Sequence, residues 1–174
     1  MDPKLLRETA GSRLSLVLGF FPRVESRLTL VLGVDLSMLA LLVSAAPPVA
    51  KWNAVAAIVL VPGICITVSL YHVWQGLFPD VRGGVIPGGK TSLIFFGTIA
   101  ARTETAFVAD ANSQTDEEHV SDLLGQIWTN SKILSIKFEC LKSSFLWMLV
   151  AIVPWMVTLA LFASMNPDAK TFLR

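Results

Sequence analysis

Three apolar runs decide what this chain can fold into. Leu28 to Ala46 holds 19 residues interrupted by a single charge, Asp35. Trp52 to Trp74 holds 23 with no Asp, Glu, Lys or Arg, and Ser143 to Met165 holds another 23 without a charge. About 20 apolar residues, rising 1.5 Å each, cross a hydrocarbon core of about 30 Å, so every run is long enough to span a bilayer. Together they explain a composition that one small soluble core has no room to hide: 53% hydrophobic against 16% charged residues in a chain of 174. Trp52 and Trp74 bracket the second run, where amphipathic rings favour the headgroup level. Ala45-Ala46-Pro47-Pro48 and Asn53 break the pattern between the first two runs, and so short a connection makes them an antiparallel hairpin.

A secretory signal is the rival reading of residues 1–45, because Val43-Ser44-Ala45 resembles a small-residue cleavage site. A charged leader of 27 residues, an acid inside the apolar region and two later spans stand against it. Polar residues 75–142 then lie on one side of the membrane. Within about 20 residues of a span end, that side collects Arg13, Arg23, Arg27, Arg82, Lys90, Lys132, Lys137 and Lys142, and the other collects Lys51, Lys170 and Arg174. The asymmetry places the N-terminus and the polar middle in the cytoplasm.

The expected fold is a mainly α membrane protein with three transmembrane helices, an N-terminal hairpin plus a C-terminal span. A small, mostly helical cytoplasmic module is continuous with the last span. Its parts are a cytoplasmic amphipathic leader (1–27), the hairpin (28–74, with spans 28–46 and 52–74), a sensor or stalk module (75–142), the third span (143–165) and a short external tail (166–174).

In the leader, Lys4, Arg7, Arg13, Arg23 and Arg27 surround the apolar segment Leu14 to Phe21. Eight residues are too few to cross. The segment reads either as an interfacial helix ending at Pro22 against an anionic leaflet or as a helix packed on the cytoplasmic module. From Thr115 the helical signal is strong. Thr115 and Glu118 form a capping box, Asp116 and Glu117 suit the first turn, and Val120, Leu124, Ile127, Ser131, Leu134, Phe138 and Leu141 make one stripe, widened by Leu123 and Ile133. Nothing between Asp116 and the third span would stop a helix, so one helix of about 50 residues is expected, roughly 75 Å long. The stripe serves either packing within the chain or a seam between subunits. Between the second span and this helix lie a Pro- and Gly-rich linker from Pro79 to Gly89 and then Thr91 to Ala101. The latter reads equally as a buried strand or a helical segment, and Thr103 to Asp110 opens a further helix.

Gly84-Val85-Ile86-Pro87-Gly88-Gly89-Lys90-Thr91 matches the phosphate-cradling loop pattern, but no strand precedes it and fewer than 70 cytoplasmic residues remain to build a sheet. Triphosphate hydrolysis is therefore not expected. Lys90 and the glycine amides still suit a phosphate held without hydrolysis. Asp35 is the most informative single residue. A mid-bilayer carboxylate costs about 2.5 to 3.5 kcal/mol, so it must face protein or water. Folding the hairpin about Pro48 sets it opposite Gly63 to Thr67, where Thr67 alone offers a hydrogen bond. It sits either in a helix contact or on a water-filled path between subunits. Pro62 and Pro154 fall mid-span and free backbone carbonyls there, for packing or for gating. Two histidines and two cysteines, Cys65 and Cys140, have neither metal-ligand spacing nor disulfide density. No nucleophile grouping stands out, so the expectation is a non-enzyme without a cofactor or metal. A net charge of +1 gives no reason to expect a nucleic-acid polymer as partner.

The order of two N-terminal spans, Ser92-Leu93-Ile94-Phe95-Phe96-Gly97, and the run Leu123 to Val150 entering a last span resembles the transmembrane effectors of Pycsar antiphage systems. In these bacterial systems a pyrimidine cyclase makes cyclic UMP or cyclic CMP on infection. The specific parts of the resemblance are Phe95-Phe96-Gly97 and the helix bearing Ile133, Lys137, Phe138 and Leu141. Asp35, and the missing Asp-Lys pair before the first span, depart from the pattern. The resemblance implies a bacterial inner-membrane effector that senses a cyclic pyrimidine mononucleotide, oligomerises and compromises the bilayer, causing abortive infection. Its phosphate would sit near Lys90, Thr91, Ser92 or Arg102, while Asp35, Pro62 and Pro154 would serve a membrane pathway or a contact between subunits. The alternative is a constitutive small membrane protein or transporter subunit whose cytoplasmic module docks a protein partner.

Overall fold

The computed structural model describes residues 3–47, 56–79 and 91–165. Among them there is no β-strand, and the helices run α1 (Pro3–Leu18), α2 (Phe21–Ala45), α3 (Ala56–Leu77), α4 (Phe96–Ala100), α5 (Glu104–Ser113) and α6 (Asp116–Met165). The helices carrying the three apolar runs are long and apolar enough to cross a membrane. The hairpin tip with Pro48, Lys51, Trp52 and Asn53, the linker 80–89 with Lys90, and the tail 166–174 lie outside the described residues. The chain divides into two compact units, Met1–Arg23 with Pro79–Ile136 and Val24–Phe78 with Lys137–Arg174.

The second unit holds the spans. On α2 the buried residues are Val24, Leu28, Val31, Asp35, Met38 and Leu42, whose alternating spacings of four and three trace one helix stripe. Met38 and Leu42 pack with Cys65 and Ile66 of α3 and with Ala151 and Phe162 of α6. Lipid tails are as apolar as leucine, so close approach rather than water exclusion joins helices in a bilayer. Gly76 supplies that approach: a Cβ there would stand 2.9 Å from a Leu28 methyl and 3.1 Å from the Cys140 Cβ. Trp155 Nε1 donates to the Met38 carbonyl at 3.0 Å, and Lys137 Nζ meets Glu25 Oε1 at 2.9 Å. Both cysteines are buried and free, as small core residues.

In the first unit, Ala10 and Leu14 of α1 pack against Leu123, with Ile94 and Ile127 beside them. The leader thus rests on the polar module, the second of its two readings. It also ends earlier than expected. Gly19 and Phe20 amides close α1 onto the Ser15 and Val17 carbonyls, and α2 begins at Phe21. Pro22 therefore falls in the first turn of α2 instead of ending the leader helix. A first-turn amide has no intrahelical acceptor, so its loss there costs nothing.

The capping box at the start of α6 forms as expected. The Thr115 amide donates to Glu118 Oε2 at 3.1 Å, and the Glu118 amide to Thr115 Oγ1 at 3.3 Å. The buried face of α6 differs from the expected stripe. Leu124 and Phe138 point outward, while Leu123 points inward as expected, joined there by Asp122, Gln126, Lys137, Cys140 and Ser144. Polar residues with partners waiting on other segments override the apolar periodicity. Of Thr91 to Ala101, residues 93–95 bend and Phe96–Ala100 is helical, so the helical reading holds for the second half alone. Thr103 caps α5 by accepting from the Ala106 amide.

Candidate functional site

Each unit is organised by a buried polar centre. In the spans it is Asp35, Ser69 and the backbone of Ser144, one contribution from each of α2, α3 and α6, all three residues fully buried. Ser69 Oγ lies 2.6 Å from Asp35 Oδ2 and 2.9 Å from the Ser144 carbonyl. One hydroxyl has one proton to give, so the carboxyl and the carbonyl compete for it. Asp35 Oδ1 is buried without a hydrogen bond. The partner is thus Ser69, not the expected segment ending at Thr67. The α3 stripe that faces the other spans runs through Pro62, Ile66, Ser69 and Val73, whereas exposed Thr67 bonds its own Gly63 carbonyl at 2.8 Å. Pro62 lies within α3 and Pro154 within α6. The Pro154 carbonyl accepts from Thr158 Oγ1 at 2.8 Å.

In the polar unit the centre is Ser92 with Asp122 and Gln126 of α6. Ser92 Oγ donates to Asp122 Oδ1 at 2.6 Å and accepts from Gln126 Nε2 at 3.0 Å. It also receives the Ile94 and Phe95 amides, at 3.1 and 3.0 Å. The Leu93 amide donates to Asp122 Oδ2 at 2.8 Å, and Thr98 Oγ1 to the Ser92 carbonyl at 2.5 Å. Ser92 is fully buried and every capacity of its hydroxyl is in use. It locks the entry to α4 onto α6.

Of the four phosphate-site candidates, Thr91 and Arg102 are brought together. The Arg102 guanidinium bonds the Thr91 hydroxyl with one nitrogen and the Asp110 carboxylate with the other. Ser92 follows Thr91 directly but faces the interior, and Lys90 lies outside the described residues. Sequence reasoning missed Ser69, Asp122 and Gln126. Ser69 had a positional signal, a polar side chain on the otherwise apolar inward stripe of α3, whereas Asp122 and Gln126 had none.

The model of the PycTM family, the Pycsar effector protein domain, matches residues 9–164. This chain belongs to the Pycsar effector family. Among curated proteins it is similar to the Pycsar effector protein GmPycTM of Gulbenkiania mobilis, 28% identical over 102 residues, which cover 57% of this chain. The match spans about half, 52%, of that relative's length. No solved structure matches the chain. The family is one of membrane effectors, in keeping with three helices long and apolar enough to cross a membrane.

Proposed function

We propose that this chain is the membrane effector of a Pycsar antiphage system. It binds a cyclic pyrimidine mononucleotide, cyclic UMP or cyclic CMP, associates with further copies of itself and impairs the inner membrane of the infected bacterium, an abortive infection. The observation that carries this reading is the family match, which runs from residue 9 to residue 164 and so includes both polar centres. The excess of Lys and Arg beside residues 75–142 supports a cytoplasmic polar unit, where such a nucleotide would be made.

The ligand phosphate docks at Arg102 and Thr91, with Lys90 next in sequence. A guanidinium prefers an oxyanion, and one nitrogen of Arg102 already holds the Asp110 carboxylate. A cyclic phosphate competes with that carboxylate for the same fork. Thr91 is joined directly to Ser92, which is tied to Asp122 and Gln126, so exchanging the Arg102 partner pulls on the hold upon α6. The ligand shifts the states because it binds them unequally. Three spans enclose no pore, so damage to the bilayer requires several chains.

Liposomes loaded with a self-quenched dye and carrying the full chain test this directly. Cyclic UMP or cyclic CMP should release dye where cyclic AMP and cyclic GMP do not, and Arg102→Ala should abolish the response while leaving the protein folded. Silence toward all four nucleotides would sink the reading.

A further inference from the structure

We infer that the spans carry a binding site for an anionic phospholipid, formed where α2 and α6 enter the membrane between Arg27 and Lys142. A pocket of about 340 Å³ opens there, walled by Leu30 and Val31 on one side and Phe138, Leu141 and Phe145 on the other. Arg27 immediately precedes the first apolar run and Lys142 the third, so both charges stand at the same end of their spans and the apolar walls continue inward from them.

Charge complementarity names the occupant. Among the described residues neither Arg27 nor Lys142 makes an ion pair, whereas the neighbouring Lys137 is paired with Glu25. Two uncompensated bases at the headgroup level favour a phosphodiester whose negative charge no headgroup cation offsets. The walls suit an acyl chain for a second reason. They contribute no polar side chain apart from the two bases, so nothing in the pocket reads the edge of a nucleobase. Leu30, Phe138 and Phe145 are also exposed, which leaves the pocket open along its side for a chain to continue into the bilayer. The site bridges α2 and α6, so its lipid holds these two spans together in whichever arrangement brings the two bases close. This inference is independent of the nucleotide reading, and its test uses no nucleotide.

Native mass spectrometry of the detergent-solubilised full chain, titrated with phosphatidylglycerol or phosphatidylcholine of matched acyl chains, measures the preference. The wild type should retain phosphatidylglycerol about tenfold more tightly, and the double substitution Arg27→Gln/Lys142→Gln should erase that margin. Arg13→Gln/Arg23→Gln removes the same charge away from the pocket and should preserve it. Leu141→Trp, which fills the pocket without altering charge, should weaken both lipids and supplies the test if the double variant does not fold. Equal binding of the two lipids by the wild type, or an equal loss in both charge variants, would overturn the site. So would displacement of phosphatidylglycerol by a second copy of the chain at rising protein concentration.

Discussion

Ser69 is where the span bundle is most sensitive to a single atom. Its hydroxyl lies within reach of both Asp35 on α2 and the Ser144 carbonyl on α6, and it alone supplies Asp35 with a hydrogen bond. Removing it with Ser69→Ala leaves a fully buried carboxyl with no partner, which should cost about 1 to 3 kcal/mol. Asp35→Asn should behave differently. An amide brings protons of its own, so Ser69 can give its single proton to the carbonyl and still accept from residue 35. Thermal unfolding in detergent should therefore rank Ser69→Ala well below the wild type and Asp35→Asn level with it or above. The reverse order would mean that Asp35 is held by charge and not by this contact. A second prediction follows from the Arg102 fork. Asp110→Asn removes the competing carboxylate but leaves the guanidinium beside Thr91, so the affinity for the activating nucleotide should rise by about threefold to tenfold in a calorimetric titration.

The segment from Thr91 to Ala101 depends on Ser92 in the way a bundle depends on a contact between helices. Five hydrogen bonds converge on its hydroxyl and carbonyl, and they set the bend at 93–95 as well as the docking on α6. Ser92→Ala should lower the stability of the polar unit by about 2 to 3 kcal/mol, because Asp122 and Gln126 lose a partner while buried. Hydrogen exchange should show the amides of 93–98 opening faster, with little change in the spans. If exchange there is unaltered and only nucleotide binding falls, Ser92 is a ligand contact after all. Such a hub was invisible in the sequence for a physical reason. The three spans and the 50-residue α6 were legible because apolar length and the Thr115–Glu118 capping box are local signals. The bend at 93–95 is imposed by Asp122 and Gln126, about 30 residues away. The same distance effect hid the α6 face: periodicity selected Leu124 and Phe138, whereas partners elsewhere in the chain turned Asp122 and Lys137 inward. Among the site residues, Thr91 and Arg102 lie in contact, and the partner of Asp35 is Ser69, about half a helical turn beyond the expected Thr67.

The first part of α6 carries large apolar side chains that the rest of the chain leaves exposed. Leu124 and Trp128, one turn apart, are 49% and 65% exposed, and Ile136 adds to them. They precede the third apolar run, so lipid tails do not account for them. Large apolar groups collected on one helix face of a polar unit mark a surface for another protein. The proposed function needs further copies of the chain, and a helix that presents Leu124 and Trp128 while its opposite face is locked by Asp122 and Gln126 is a ready half of such a seam. Trp128 is the better anchor, with a large ring and the Lys132 ammonium 5.7 Å from its centroid. Trp128→Glu would set like charges against one another across a symmetric contact without entering the core of the monomer. Light scattering on the detergent complex should then show a smaller particle in the presence of nucleotide, while the nucleotide itself still binds with unchanged affinity. Dye release should fall with the particle size, since a chain that binds its signal but cannot meet its copies has only three spans with which to disturb the bilayer. If release persists when association is lost, each chain disrupts the membrane alone and the exposed face belongs to a different partner.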